Sequence, residues 1–309
     1  MILGDCEVTK DFLCLTDWNL EDLEAVFDLT RELKEKQKHG EEHYLLKGKT
    51  LGMIFEKSST RTRISFEVGM YHLGGHALFL SSGNTQMGRG EPIKDTGRVM
   101  SRYLDGIMIR TFSQEAVEEL AHWSDIPVIN GLTDTYHPCQ IMADLYTVIE
   151  HKGNYRDLTY CWIGDGNNMA NSWINAAAVF GFELRVATPE GYAPDGSVAE
   201  RARKLGARVS YYNDPFEAAR GAQVLNTDVW ASMGQEAEQR EREKAFANFQ
   251  INAQILDAAA PDCVVLHCLP AHRGEEITDE VMESEHSVVF DEAENRLHVQ
   301  KAIMATLMG

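Results

Sequence analysis

Short apolar runs alternate with helix-period segments along most of this 309-residue chain, and that alternation narrows its possible folds more than any other feature. Leu51-Gly52-Met53-Ile54-Phe55 reads as a buried strand. Ile64, Val68 and Tyr71 then recur at i, i+4 and i+7, one face of a helix that stops at Gly74-Gly75. Further strands are expected at His76-Ala77-Leu78-Phe79-Leu80, Gly106-Ile107-Met108-Ile109, Pro127-Val128-Ile129-Asn130 and Thr159-Tyr160-Cys161-Trp162-Ile163. Leu184-Arg185-Val186-Ala187, Arg208-Val209-Ser210-Tyr211, Val224-Leu225-Asn226-Thr227, Cys263-Val264-Val265-Leu266 and Val288-Val289-Phe290 complete the set. Helices are expected over residues 17–38 with Asp17 as N-cap, over 93–104 and 113–125, from His137 through His151, and up to Phe180. Strands separated by helices build parallel sheets. The predicted architecture is α/β, two doubly wound parallel-sheet domains with the active site in the cleft between them. Residues 1–150 form the first and 151–294 the second, with a turn-rich linker over 152–158. The C-terminal helix, 295–309, is assigned to the first.

Polar clusters fall where strands end. Ser58-Ser59-Thr60-Arg61-Thr62-Arg63 sits where the first strand of this series hands over to a helix. A helix N-terminus has unpaired N–H groups and a partial positive charge, so hydroxyls and guanidinium groups added there favour a phosphate or another oxyanion. The bland alternative is an N-cap at Ser59 or Thr60 with solvated arginines. Arg110 closes the Gly106-to-Ile109 strand, facing the crevice where open α/β sheets bind ligands. His137-Pro138-Cys139-Gln140 opens a helix just past another strand, with Pro138 suited to the first helical position. Asp228 ends a strand and precedes Ser232-Met233-Gly234 and the charged segment 235–244. Gly164-Asp165-Gly166 is half of a dinucleotide fingerprint, with Met169 where the third glycine belongs. Cys268 and His272 are spaced like metal ligands, but too few soft ligands accompany them, and no metal is expected.

The charge balance excludes some functions. With 48 acidic and 29 basic residues the net charge is −19, a poor match to nucleic acid or anionic membranes. Such a field attracts small cations, so an anion site has to be built locally from clustered donors. No run of 18 apolar residues predicts a membrane span, and the opening residues lack a signal-peptide pattern. The six cysteines are scattered without a C-x-x-C pair, which suits reduced thiols in a cytoplasm.

Taken together, Phe55-Glu56-Lys57-Ser58-Ser59-Thr60-Arg61-Thr62-Arg63, His137-Pro138-Cys139-Gln140, Asp228 with Ser232-Met233-Gly234, and His267-Cys268-Leu269-Pro270 resemble the signatures of the aspartate/ornithine carbamoyltransferase family. Arg89-Gly90-Glu91-Pro92 and Glu292-Ala293-Glu294-Asn295-Arg296 match as well, in the family's order and over the full length. The last two of the four signatures resemble its ornithine-specific members. That resemblance implies a cofactor-free carbamoyltransferase acting on carbamoyl phosphate and L-ornithine, with a carbamoyl phosphate-binding first domain and an ornithine-binding second domain. It implies that Ser59, Thr60, Arg61 and Thr62 hold the phosphate and that Arg110 bridges phosphate and carbonyl oxygen. His137 would polarise the carbonyl, Gln140 would bind the carbamoyl NH₂, and Arg296 would complete the anion site. Gln86 would arrive from a neighbouring subunit of a homotrimer. Asn168, Asp228, Ser232 and Met233 would hold ornithine, and Cys268 and Leu269 would contact the amine and the carbamoyl group. Arg110, His137 and Cys268 would be the catalytic set. Three rivals remain at this point: a carbamoyltransferase for another amine such as putrescine, a non-catalytic sensor of an anionic metabolite, and a nicotinamide-dependent dehydrogenase.

Overall fold

The computed structural model describes residues 10–81, 83, 90–231 and 238–309. The chain divides into two compact units, Met1–Cys139 with Leu297–Gly309, and Gln140–Arg296. In the first unit, α1 (Leu20–Lys38) precedes β1 (Thr50–Phe55), α2 (Thr60–His72), β2 (His76–Ser81), α3 (Ile93–Met100), β3 (Gly106–Arg110), α4 (Gln114–Trp123) and β4 (Val128–Leu132). The strands are all parallel, in the order β2-β1-β3-β4. α5 (Pro138–Lys152) begins in this unit and runs into the second. There follow β5 (Thr159–Ile163), α6 (Asn168–Phe180), β6 (Glu183–Ala187), α7 (Gly196–Lys204), β7 (Arg208–Tyr212), α8 (Pro215–Ala219) and β8 (Val224–Thr227). The unit finishes with α9 (Gln239–Phe246), α10 (Ala253–Ala258), β9 (Val264–His267), α11 (Asp279–Met282) and the start of α12 (Val289–Met308). Its parallel sheet has the order β7-β6-β5-β8-β9. Both sheets are doubly wound, as the alternation predicts. The strand order reverses between β1 and β3 in one and between β5 and β8 in the other.

Burial explains the strands. Every residue of β3, β8 and β9 is buried, as are five of the six in β1. β2 and β7 each lie at one edge of their sheets and are largely exposed or half-buried. In the second unit Tyr160, Trp173 and Phe182 meet with ring centroids 4.1–5.9 Å apart, anchoring α6 on β5.

Several local expectations are corrected. α1 starts at Leu20, capped by Asn19, whose side chain accepts from Asp22 N; Asp17 ends a short 3-10 turn instead. α3 ends at Met100, short of the expected Leu104. α2 turns a different face inward. Ile64 and Tyr71 are 54% and 75% exposed, while Thr62, Ser65, Phe66, Gly69 and Met70 are buried. Gly69 is the reason. A Cβ there would come within 2.9 Å of Met304 on α12, so this bare face is where that helix can approach.

Val288-Val289-Phe290 is not a strand. Residues 286–288 make a brief bridge to Val265 and α12 then begins at Val289. Asp291 and Glu292 in its first turn suit the positive end of the helix dipole and outweigh a three-residue β preference. The two compact units divide in sequence between Cys139 and Gln140, within the first turn of α5. Beyond its first residues α5 bonds to the first turns of α12: Asn295 Nδ2 donates to Thr147 Oγ1 (2.9 Å) and Glu150 Oε2 (2.6 Å).

Candidate active site

In the first unit the polar residues collect at the C-terminal ends of β1, β3 and β4, beside the reversal of strand order, where open α/β sheets bind ligands. Ser59 caps α2, its hydroxyl accepting from Thr62 N (3.2 Å) and donating to Thr62 Oγ1 (3.1 Å). The N-cap alternative and the anion-site reading are therefore compatible. Capping aligns the first turn, Thr60, Arg61 and Thr62, over the strand end. Neighbouring strands brace this turn. Arg110 O accepts from Glu56 N (2.9 Å) and Lys57 N (3.4 Å), and Thr111 Oγ1 donates to the Glu56 carboxylate. The Arg110 side chain is buried. Lys57, also buried, pairs with Asp134 and lies 4.5 Å from the Phe112 ring centroid. His137 is delivered by a stiff turn after β4. Thr133 Oγ1 accepts from Tyr136 N (3.0 Å) and donates to Gln114 Oε1 (2.9 Å), and Thr133 N donates to Tyr136 O (2.8 Å).

In the second unit the residues gather at the ends of β5, β8 and β9, again at the reversal of strand order. Asp228, buried after β8, accepts from Asn167 Nδ2 (3.1 Å), from Cys268 Sγ (3.2 Å) and from Val229 N (2.8 Å). Burial, then the charges of Asp228 and Glu292, pushes the Cys268 thiol well above its ordinary value. At neutral pH it is an S–H donor to Asp228. Asn168 is the first residue of α6, and Asn167 caps that helix, accepting from Met169 N and Ala170 N. Leu269 N donates to His267 Nδ1 (2.9 Å), holding Leu269 at a left-handed φ of 57°.

Behind them lies a buried acidic cluster that sequence reasoning missed. Gln140 Nε2 donates to Asp144 Oδ1 (2.8 Å) and Glu292 Oε1 (2.9 Å), and Glu292 Oε2 accepts from His267 N (2.8 Å). Burial raises both carboxyls above their usual range. Arg296, four residues beyond Glu292 on α12, offsets part of this. Spacing held the signal: Asp144 is at i+4 from Gln140 and Glu292 at i−4 from Arg296, each on the same helix face as a named site residue. Asn167 was legible as the polar residue just before a helix.

The glycine pair after β5 has its own explanation. A Cβ on Gly166 would fall 2.3 Å from the backbone of Ala193 and Pro194, so the glycine admits the chain's own loop. Asp165 is committed to Arg242 (2.9 Å), both buried. Ligand atoms of Asp228, His267 and Cys268 lie within 4.8 Å of one another. Both ring nitrogens of His267 are engaged, Nε2 with Glu276 (2.9 Å) and Nδ1 with Leu269 N, so the trio offers an ion two ligands at most. Gln86, Ser232 and Met233, together with Arg89 and Gly234, lie outside the described residues.

Among the described residues no helix is long and apolar enough to cross a membrane. Residues 10–150 match the model of the aspartate/ornithine carbamoyltransferase carbamoyl-P binding domain, and residues 156–307 that of the Asp/Orn binding domain. An ornithine carbamoyltransferase of Syntrophotalea carbinolica is 81% identical over 97% of this chain and 99% of its own length. One from Pelobacter propionicus is 64% identical over 98% and 99%. The solved ornithine carbamoyltransferase of Pyrococcus furiosus superposes with a TM-score of 0.94 at 50% identity, covering 98% of each chain. With both family models matched in order and relatives this similar along their whole length, the chain belongs to the aspartate/ornithine carbamoyltransferase family.

Proposed function

We propose that this chain transfers the carbamoyl group of carbamoyl phosphate to the δ-amine of L-ornithine, giving L-citrulline and phosphate, without a cofactor and in the service of arginine biosynthesis. The observation that carries the choice of amine is the Asp228 carboxylate, held by Asn167 and touched by Cys268 where the second sheet reverses. A fixed carboxylate there suits the ammonium end of an amino acid. High identity to proteins named ornithine carbamoyltransferase supports the same reading.

The roles follow from the chemistry. Ser59, Thr60, Arg61 and Thr62 hold the phosphate on the first turn of α2, with Arg296 completing the anion site. Arg110 bridges phosphate and carbonyl oxygen, His137 polarises that carbonyl, and Gln140 receives the carbamoyl NH₂. Asn168, Asp228, Ser232 and Met233 hold ornithine, and Cys268 and Leu269 face the reacting amine and carbamoyl group. The first unit binds carbamoyl phosphate and the second ornithine. The neutral amine attacks the carbonyl carbon, a C–N bond forms, and an oxyanion develops opposite Arg110 and His137. The C–O bond to phosphate then breaks and the nitrogen loses one proton. Each donor fixed at the oxyanion is worth about 10²–10³ in rate. A thiol already protonated accepts that proton only by passing its own to Asp228, so Cys268 acts as a relay.

The active form is a cytoplasmic homotrimer in which Gln86 reaches a neighbouring phosphate site. The exposed Ile64 and Tyr71 of α2 and Leu78 and Phe79 of the outer strand β2 support an interface on this side of the first unit.

The decisive assay offers ornithine, putrescine, aspartate and N-acetylornithine in parallel with carbamoyl phosphate. Citrulline from ornithine alone is expected. Product from another amine overturns the reading of Asp228, and no product with carbamoyl phosphate still bound favours a sensor.

A further inference from the structure

We propose that Asp144 and Glu292 are positioning residues that lock the Gln140 amide, leaving its carbonyl oxygen as the acceptor that selects a carbamoyl NH₂ over an acyl methyl. The inference rests on the proposed role of Gln140 toward carbamoyl phosphate. Gln140 is fully buried, and the two hydrogens of its NH₂ are committed to Asp144 Oδ1 and Glu292 Oε1. Turned over, the amide would set its oxygen against two carboxyl oxygens, so the hydrogen-bond network fixes the orientation. Gln140 Oε1 then points away, buried, with no donor among the described residues. Such an acceptor calls for a ligand or a water. A carbamoyl group supplies an N–H at that place, whereas an acetyl group presents a methyl and leaves the carbonyl unsatisfied.

The pair reaches further than Gln140. The second oxygen of Glu292 accepts from His267 N at the end of β9, next to Cys268 and Leu269. One carboxyl therefore ties the carbamoyl acceptor to the turn carrying the thiol. Two buried carboxyls this close do not both ionise. Burial raises each, and the neighbouring Asp144 charge raises Glu292 further. The other groups facing the pair are Arg296 on α12, which lowers both, Asp228 after β8, which raises Asp144, and the His267 N–H, which lowers Glu292.

The test uses the full-chain enzyme and reads a ratio, the inhibition constant of acetyl phosphate over the KM of carbamoyl phosphate, with inorganic phosphate inhibition as control. Gln140→Ala should lower the ratio about tenfold, the worth of one hydrogen bond of about 1.4 kcal/mol. Asp144→Ala should lower it similarly while phosphate inhibition stays put; Asp144→Leu keeps the core filled should the alanine variant not fold. Asp144→Asn should restore the ratio, since its amide oxygen keeps an acceptor for Gln140. A ratio unmoved by Gln140→Ala removes the carbamoyl role of Gln140. A ratio that falls in Gln140→Ala but not in the Asp144 variants overturns the positioning role alone, as does an Asp144 loss shared equally by phosphate.

Discussion

Cys268 shows how a side chain's surroundings decide its chemistry. A free thiol near neutral pH is a few per cent thiolate, enough to be a nucleophile. Here burial and then the Asp228 charge suppress the thiolate, and the S–H donates to Asp228. The group is suited to handing a proton on. Cys268→Ala should lower kcat about 10²-fold, the lower end for a lost proton-transfer group. Cys268→Ser keeps a donor to Asp228 but should move the pH dependence of kcat; an unchanged profile in steady-state assays would remove the relay. Polar residue types at strand ends were enough to mark Ser59, Arg110, His137 and Asp228, whereas Cys268 came from the family resemblance. Residue type was not enough to mark Asp144 or Glu292. A carboxylate on a helix ordinarily faces water, and only the burial of both together makes them unusual.

α12 runs from the second unit into the first. Its first turns bond to α5, and its later turns belong to the first unit, where Lys301 is fully buried. Lys301 donates to Gln37 Oε1 (2.6 Å) and Leu33 O (3.4 Å), and its Nζ is 3.1 Å from His43 Nε2. Burial lowers Lys301 to about 8. Burial first, then the Lys301 and Lys34 charges, lowers His298 to about 3, and His43 and His72 shift the same way. The sign follows by linkage. An unfolded histidine, near 6.5, takes up its proton before the folded one, so the unfolded state binds more protons and stability falls as pH drops from 6.5 toward 3. His298→Gln should flatten that fall. The melting temperature of the parent should drop more than the variant's between pH 7.5 and 5.5, and equal drops would show that His298 does not carry it. Asp144 and Glu292, raised acids, work in the opposite direction and are common to both proteins.

For the whole molecule, the question is what a net charge of −19 leaves room for. Self-repulsion opposes assembly, so an interface between copies has to be apolar enough to overcome it. The exposed side chains of α2 and β2 have that character, and Arg63 adds its guanidinium 3.9 Å from the Phe79 ring centroid. Ile64→Glu and Tyr71→Glu should reduce the mass measured by sedimentation from trimer to monomer. They should also lower activity, because in the proposed trimer each phosphate site takes Gln86 from its neighbour. A trimer persisting in both variants would place the interface elsewhere.

The order of strands and helices, the doubly wound sheets and the position of most polar groups were written in local pattern. A strand's apolar run, a helix's 3.6-residue period and a polar cluster at the junction each depend on residues near in sequence. What depended on distant partners came only from the tertiary structure. The inward face of α2 was set by a helix more than two hundred residues on, which needed the space at Gly69. Val288-Val289-Phe290 has strand composition, yet acidic residues behind it and a single bridge to Val265 let α12 begin there. Gln140 was legible as a polar residue at a helix start, but the direction of its amide was decided by two carboxyls, one a turn away and the other on the last helix. Hydrogen-bond direction is a property of the neighbours a side chain meets in space, and a linear sequence does not list them.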